Sequence, residues 1–258
     1  MPTERLSFES RRGVRLSARL ERPDGPPLAY ALFAHCFACT KNSLAAVRIT
    51  RGLAARGIAT LRFDFTGLGE SEGEFGRQPY SADVADLVAA AAFMAAKGMT
   101  PRLLIGHSLG GTAALAAAGQ IPDVAAVVTI GSPYEPSHVT NLFAAELDEI
   151  IRYGEAPVKL GPGTFNLSRD FVEDLSRQSS RERIHHLDRA LLVLHAPMDN
   201  VVGIENAEAI FEAARHPKSY VSLDTADHLL TRAADADYTA GIIAAWASRY
   251  LSVMEGGA

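Results

Sequence analysis

The run Leu28–Ala34 (LAYALFA) is apolar at almost every position. A half-exposed strand would alternate, so this segment reads as a strand covered on both faces, as in a parallel sheet. The next stretches keep the theme. Asn42–Arg56 has apolar residues at helical spacing and stops before Gly57, and Ile58–Phe63 is the following strand. Tyr80–Lys97 is an Ala-rich helix ended by Gly98. Leu103–Ile105 is a short strand, Leu109–Gly119 a helix of small residues, and Val124–Ile130 another strand. Strand and helix alternating at this spacing predict an α/β fold with a doubly wound, mostly parallel sheet. Ahead of it, Leu6–Phe8 and Val14–Leu20 read as a hairpin turning at Arg12-Gly13.

The rhythm breaks after Pro133. Ser137–Arg152 and Ser168–Arg183 look helical, and Val158–Leu167 reads as a small hairpin around Gly161-Pro162-Gly163. Strands return at Ala190–Leu194 and Ser219–Leu223, separated by the helix Gly203–Ala214 and followed by a last helix near Ala236–Leu251, whose Trp246 is expected in the core. The expected organisation is one domain, 1–258, with a small helical cap inserted at about 133–188. Leu142, Phe143, Ile150, Ile151, Phe165 and Phe171 are the candidates to line a pocket beneath it.

A chain of 258 residues, 48% hydrophobic and 21% charged, can bury about three quarters of its unfolded surface without a staple. The net charge of −5, with no basic stripe, argues against nucleic acid. The stretch MPTERLSFESRRGVRL has no signal-like apolar run, and the runs at Ala89–Ala96 and Leu115–Ala118 are too short to span a bilayer. The expectation is a cytoplasmic protein without membrane contact. Cys36 and Cys39 are its only cysteines, spaced C-x-x-C. In a reducing compartment they are expected to be thiols. A zinc site needs a second pair or histidines at metal spacing, and His185-His186 is a lone doublet, so no metal is expected; the serine chemistry read below needs no cofactor.

The most specific motif is Gly106-His107-Ser108-Leu109-Gly110, a G-x-S-x-G between a strand and a helix. That context makes a nucleophile elbow, which lifts the Ser108 hydroxyl above the sheet on a strained turn. Gly106, Gly110 and Gly111 allow strand and helix to pass closely. The Leu109 N–H, at a helix N-terminus, points where an oxyanion would develop. The alternative is a glycine-rich turn whose serine caps the helix. A serine hydroxyl needs a base, and in such sheets the partners follow in the order Ser, acid, His. After Ala190–Leu194 comes His195-Ala196-Pro197-Met198-Asp199-Asn200-Val201-Val202, and after Ser219–Leu223 comes Asp224-Thr225-Ala226-Asp227-His228. The candidate triad is therefore Ser108, Asp199 and His228. A loop or capping role is the competing reading for Asp199, and a helix-start role for His228. Asp227, beside His228, reads as a cap or as a support for the site and not as the triad acid, and Glu135 as a weaker alternative acid. His107 fills the variable place of the elbow as a secondary candidate, and His195 ends a strand. His138, His185, His186 and His216 look like surface or insertion residues. Asp64-Phe65-Thr66-Gly67-Leu68-Gly69-Glu70-Ser71 lacks the Lys-Ser/Thr of a phosphate loop and reads as a tight turn, with Asp64 bonding its amides.

H-C-F, F-D-F-T-G-L-G-E-S, G-H-S-L-G-G, H-A-P-M-D-N-V-V and D-H-L-L, in this order, resemble the α/β-hydrolase superfamily over nearly the whole chain. His35–Asn42, Leu61–Gly73 and Ile130–Val139 look most like bacterial hydrolases fused to, or associated with, an OsmC-type peroxide-reducing domain. The resemblance implies an eight-stranded sheet and esterase-like activity; with the triad above, the expectation is a serine carboxylic-ester hydrolase acting through an acyl-enzyme on small or short-acyl esters. In such enzymes the first parallel strand leads into His-Gly and an apolar residue. Here the place reads His35-Cys36-Phe37, so Phe37 and Leu109 are expected to supply the oxyanion hole, with Cys36 where glycine is usual. C-x-x-C is then incidental to the loop. A peptidase or thioesterase with the same triad remains an alternative, as does a redox role for Cys36 and Cys39 linked to an OsmC-type peroxidase. The expected partners are a small-molecule ester, an OsmC-type domain or protein, and a second copy in a homodimer. The chain is read as a stand-alone member or as the hydrolase region of a fusion.

Overall fold

The computed structural model describes residues 1–161 and 163–251. Among these, eight strands form one sheet: β1 (Thr3–Glu9), β2 (Arg15–Glu21), β3 (Ala29–Ala34), β4 (Ile58–Phe63), β5 (Pro101–His107), β6 (Ala126–Ile130), β9 (Ala190–His195) and β10 (Lys218–Ser222). Their order is β1-β2-β4-β3-β5-β6-β9-β10. β1 and β2 pair antiparallel, as do β2 and β4; every later pair is parallel. This is the expected doubly wound, mostly parallel sheet.

The helices are α1 (Leu44–Ala54), α2 (Tyr80–Ala96), α3 (Leu109–Ala117), α4 (Leu147–Tyr153), α5 (Arg169–Arg177), α6 (Ser180–His185), α7 (Glu205–Ala213) and α8 (Ala233–Leu251). Two core layers show why β3 has no polar face. Leu32 and Ala34 pack into the layer with α2 and α3, while Ala31 and Phe33 pack into the layer with α1 and α8. β9 divides the same way, with Leu191 and Val193 on one side and Leu192 and Leu194 on the other. Side chains alternate along a strand, so a sheet covered on both faces needs apolar residues at every place. Trp246 of α8 is only partly buried, and its indole N–H donates to Ser219 Oγ at 3.0 Å.

From β3 the chain steps to β4 on one side, then returns to β5 on the other. The carboxyl ends of β3 and β5 thus flank the switch point of the sheet, where ligands bind in open α/β folds.

Between β6 and β9 lie a 3-10 helix at Pro136–Phe143, then α4, an antiparallel ribbon of β7 (Glu155–Leu160) and β8 (Gly163–Ser168), α5 and α6. Pro162 of the expected hairpin turn lies outside the described residues. The helix expected over Ser168–Arg183 is two helices broken at Gln178-Ser179, and Ser168 Oγ caps α5 through the Phe171 N–H. Phe143, Ile150 and Phe171 are fully buried, whereas Ile151 is exposed. Among the described residues no helix is long and apolar enough to cross a membrane.

Candidate active site

The strand-to-helix turn at Ser108 has φ 54° and ψ −126°, a region that L residues occupy only under constraint. The constraint is packing. A Cβ on Gly106 would stand 2.2 Å from the Gly110 carbonyl oxygen, and one on Gly110 would stand 2.4 Å from the oxygens of Ala34 and His35. Only glycine lets β3, β5 and α3 approach this closely. Ser108 N–H is fixed in turn by the Ile130 carbonyl at 2.8 Å.

The loops after β9 and β10 bring two more side chains to this turn. His228 Nε2 lies 3.1 Å from Ser108 Oγ, and its Nδ1–H donates to Asp199 Oδ2 at 2.7 Å. Asp199 Oδ1 also accepts the Val201 and Val202 N–H groups, both at 2.9 Å. Burial opposes charge on Asp199, but the bonds from His228 and the two amides outweigh it, and the carboxyl titrates below the usual range. All three residues are buried. A Cβ on Gly131, at φ +51°, would crowd both Asp199 and His228.

The Phe37 and Leu109 N–H groups meet no acceptor among the described residues. Both residues line one small, mostly apolar cavity with Leu68, Phe75 and Ala113. A second cavity, on the Ser108 side, is lined by Leu109, Val139, Leu142 and Val202. The Phe37 ring stacks on Phe171 at 5.9 Å and leans on Phe75 at 5.3 Å, so the loop after β3 is packed against the segment between β6 and β9.

The cysteines correct the expectation from sequence: Cys36 and Cys39 are not thiols but a disulfide. The turn explains it. Cys39 N–H donates to the Cys36 carbonyl at 3.1 Å, and Ala38 has φ +53°. This brings the two Cα atoms to 5.2 Å, within bridging range. The C-x-x-C spacing therefore closes this loop covalently.

Two histidines matter more than their sequence positions suggested. His107, fully buried, donates its Nε2–H to the His228 carbonyl at 2.7 Å. Burial, then the neighbouring His228 charge, lowers its pKa to about 4. His195 donates its Nε2–H to the Val202 carbonyl at 2.8 Å, and burial lowers its pKa as well. Each neutral ring ties down a loop carrying a site residue. Glu135 is far from this cluster in role: it accepts the Ser180 N–H at the start of α6. Asp227 accepts the Thr231 N–H at 2.9 Å within the loop that precedes α8, so it ties a loop turn and does not cap the helix.

A charged anchor was missed. Lys41 is completely buried, with its ammonium group against Asp64 and 2.8 Å from Glu70. Its own N–H donates to Asp64 Oδ1 at 2.6 Å. Asp64 does bond the amide of Glu70, at 2.9 Å, as the turn reading required, and Gly69 (φ +56°) leaves room for its carboxylate. Nothing local in the sequence says that this lysine is buried; its partner is 23 residues away.

Residues 31–257 match a family model described as the Alpha/beta hydrolase family. The esterase domain of a Rhodothermus marinus protein is 45% identical, with a TM-score of 0.78 over 97% of this chain and 100% of that one. Est1E from Butyrivibrio proteoclasticus, in a structure with ferulic acid bound, is 18% identical and shares the fold, with a TM-score of 0.79 over 96% of this chain and 100% of that one. Uncharacterized protein YfhR of Salmonella typhimurium is 25% identical over 206 residues, which is 79% of this chain. The chain spans 66% of that curated relative's length. A match that runs from β3 to the last helix, through every strand and loop that builds this site, makes the chain a member of the alpha/beta hydrolase family.

Proposed function

We propose that the chain is a serine carboxylic-ester hydrolase. One observation carries the reading: Ser108 Oγ, on a strained turn, lies 3.1 Å from an imidazole whose other nitrogen is held by a buried carboxylate. His228 takes the Ser108 proton as Oγ attacks the ester carbonyl. Asp199 keeps the imidazole in the tautomer with Nδ1–H and favours the charged ring that forms. The free N–H groups of Phe37 and Leu109 receive the oxyanion. His228 then gives its proton to the departing alcohol, and water, deprotonated by the same ring, releases the acyl group.

The ester preference, as against amide or thioester, is supported by the 45% identical Rhodothermus marinus relative, described as an esterase domain. The small apolar cavities beside the elbow suit a short acyl chain. In this reading residues 133–188 act as a cap, through Leu142, at the mouth of one cavity, and through Phe171, against Phe37. Association with an OsmC-type domain rests on the sequence resemblance alone.

The test is hydrolysis of a graded p-nitrophenyl ester series by wild type and Ser108→Ala, with circular dichroism on both. Turnover by wild type and none by the folded variant is expected. Equal turnover by the two would remove Ser108 from the mechanism. Matched ester, thioester and amide substrates separate an esterase from a peptidase or thioesterase.

A further inference from the structure

The Cys36–Cys39 disulfide takes no part in the chemistry above, yet it brackets the residue whose N–H that chemistry uses. Upstream, Cys36 is buried at the end of β3, and its carbonyl accepts from His35 Nδ1–H at 2.9 Å and from Cys39 N–H at 3.1 Å. Downstream, Lys41 is fixed to Asp64 through both its amide and its ammonium group. The Cys36 carbonyl and the Phe37 N–H belong to one planar peptide group, so the turn that carries Cys39 N–H to that carbonyl also helps to aim the Phe37 N–H. Ala38 holds φ +53° there, which a residue with a Cβ seldom adopts without constraint. The bridge spans Phe37 and Ala38 and holds that turn closed, together with the packing of the Phe37 ring on Phe75 and Phe171.

We propose that Cys36–Cys39 is a redox-active site, whose disulfide form holds the Phe37 N–H in the oxyanion position and whose reduction turns hydrolysis down. This rests on the serine-hydrolase reading. Cys36 is buried and Cys39 partly exposed, so a dithiol reductant reaches Cys39 Sγ first. Its thiolate attacks that sulfur, the S–S bond breaks, and Cys36 leaves as a thiolate. The second thiol of the reductant then attacks the mixed disulfide and frees Cys39. Two electrons pass from the dithiol, which becomes a disulfide, to the protein. The two protons the dithiol gives up end on Cys36 and Cys39.

The test equilibrates wild type in reduced and oxidised dithiothreitol at graded ratios. Ester turnover and free thiols, counted by alkylation and mass spectrometry, are read on the same samples. As the two thiols appear, kcat should fall at least about tenfold. Its floor is the roughly 10²–10³-fold loss of a whole oxyanion donor. KM should stay within about twofold, and reoxidation should restore kcat. Cys36→Ser/Cys39→Ser should match the reduced wild type and ignore the buffer; if it does not fold, the wild-type series decides alone. Equal or higher kcat in the reduced enzyme overturns the proposal, as does a bridge that no ratio reduces. Inactivity in both states, with Ser108 unlabelled by a fluorophosphonate probe in the disulfide form, overturns the hydrolase reading and this inference with it.

Discussion

Between pH 7 and pH 5 the protein should lose about 2 kcal/mol of stability through His107 alone. The ring is 1% exposed, its Nε2–H is committed to the His228 carbonyl, and its Nδ1 meets no partner. A proton added to the native ring must sit on Nδ1, away from water and near His228. This is why the pKa drops from 6.5 to about 4. The unfolded chain protonates near 6.5, so between the two values it binds more protons than the native state. Stability is therefore intact above pH 6.5 and drains as pH falls toward 4. The whole gap is worth about 3 kcal/mol, of which about 2 is gone by pH 5. Urea unfolding of wild type and His107→Gln at pH 7, 6, 5 and 4.5 measures it. Glutamine still offers an N–H to the His228 carbonyl but does not titrate. The variant is expected to fall less steeply, by that 2 kcal/mol at pH 5. His35 and His195, lowered by burial in the same way, steepen both curves and cancel in the difference. Parallel curves for the two proteins would refute the reasoning.

Asp199→Asn should fold normally yet lose about 10⁴-fold in kcat, because His228 Nδ1 loses the acceptor that sets its tautomer; steady-state kinetics with little change in KM is the expected pattern. Gly106→Ala should give insoluble or inactive protein, since the new methyl overlaps the Gly110 carbonyl, whereas Gly119→Ala, where a Cβ meets nothing within 4 Å, should keep both fold and activity. Lys41→Met should cost about 3–5 kcal/mol by leaving Asp64 buried and unpaired. Adding Asp64→Asn, which removes the charge but keeps an acceptor for the Lys41 and Glu70 amides, should recover much of that loss in a chemical-denaturation double-mutant cycle, and a double variant no better than Lys41→Met would show that the charge is not the cause.

How far this structure could be read in advance depended on the range of the interaction behind each feature. β3 to β6 and β9 were legible because a strand with two covered faces leaves a continuous apolar run. The elbow was legible because its glycines, serine and flanks lie within a few residues. Asp199 and His228 followed from chain order. The break at Gln178-Ser179 was missed because α5 and α6 pack on different neighbours, which helical periodicity does not report. The disulfide was missed because spacing says nothing about whether a turn brings two Cα atoms within bridging range; the φ of Ala38 does. The burial of Lys41 was missed because its partner is Asp64, on a separate loop.

The place of the site in the fold also explains how it holds its shape. The site sits at the ends of strands, where ladder hydrogen bonds stop and loop carbonyls need other donors. His107 satisfies the carbonyl of His228, His195 that of Val202, and His35 that of Cys36. A neutral imidazole brings one N–H to such a carbonyl and fills apolar space with the rest of its ring. The cost is a second nitrogen without a partner, and all three rings carry one: His35 Nε2, His107 Nδ1 and His195 Nδ1. An unpaired acceptor costs far less than a buried charge, so the arrangement holds while the rings stay neutral. The same bonds that fix the loops of the triad and the oxyanion turn therefore set an acid limit on them, and loosening of these loops at low pH should precede loss of the sheet.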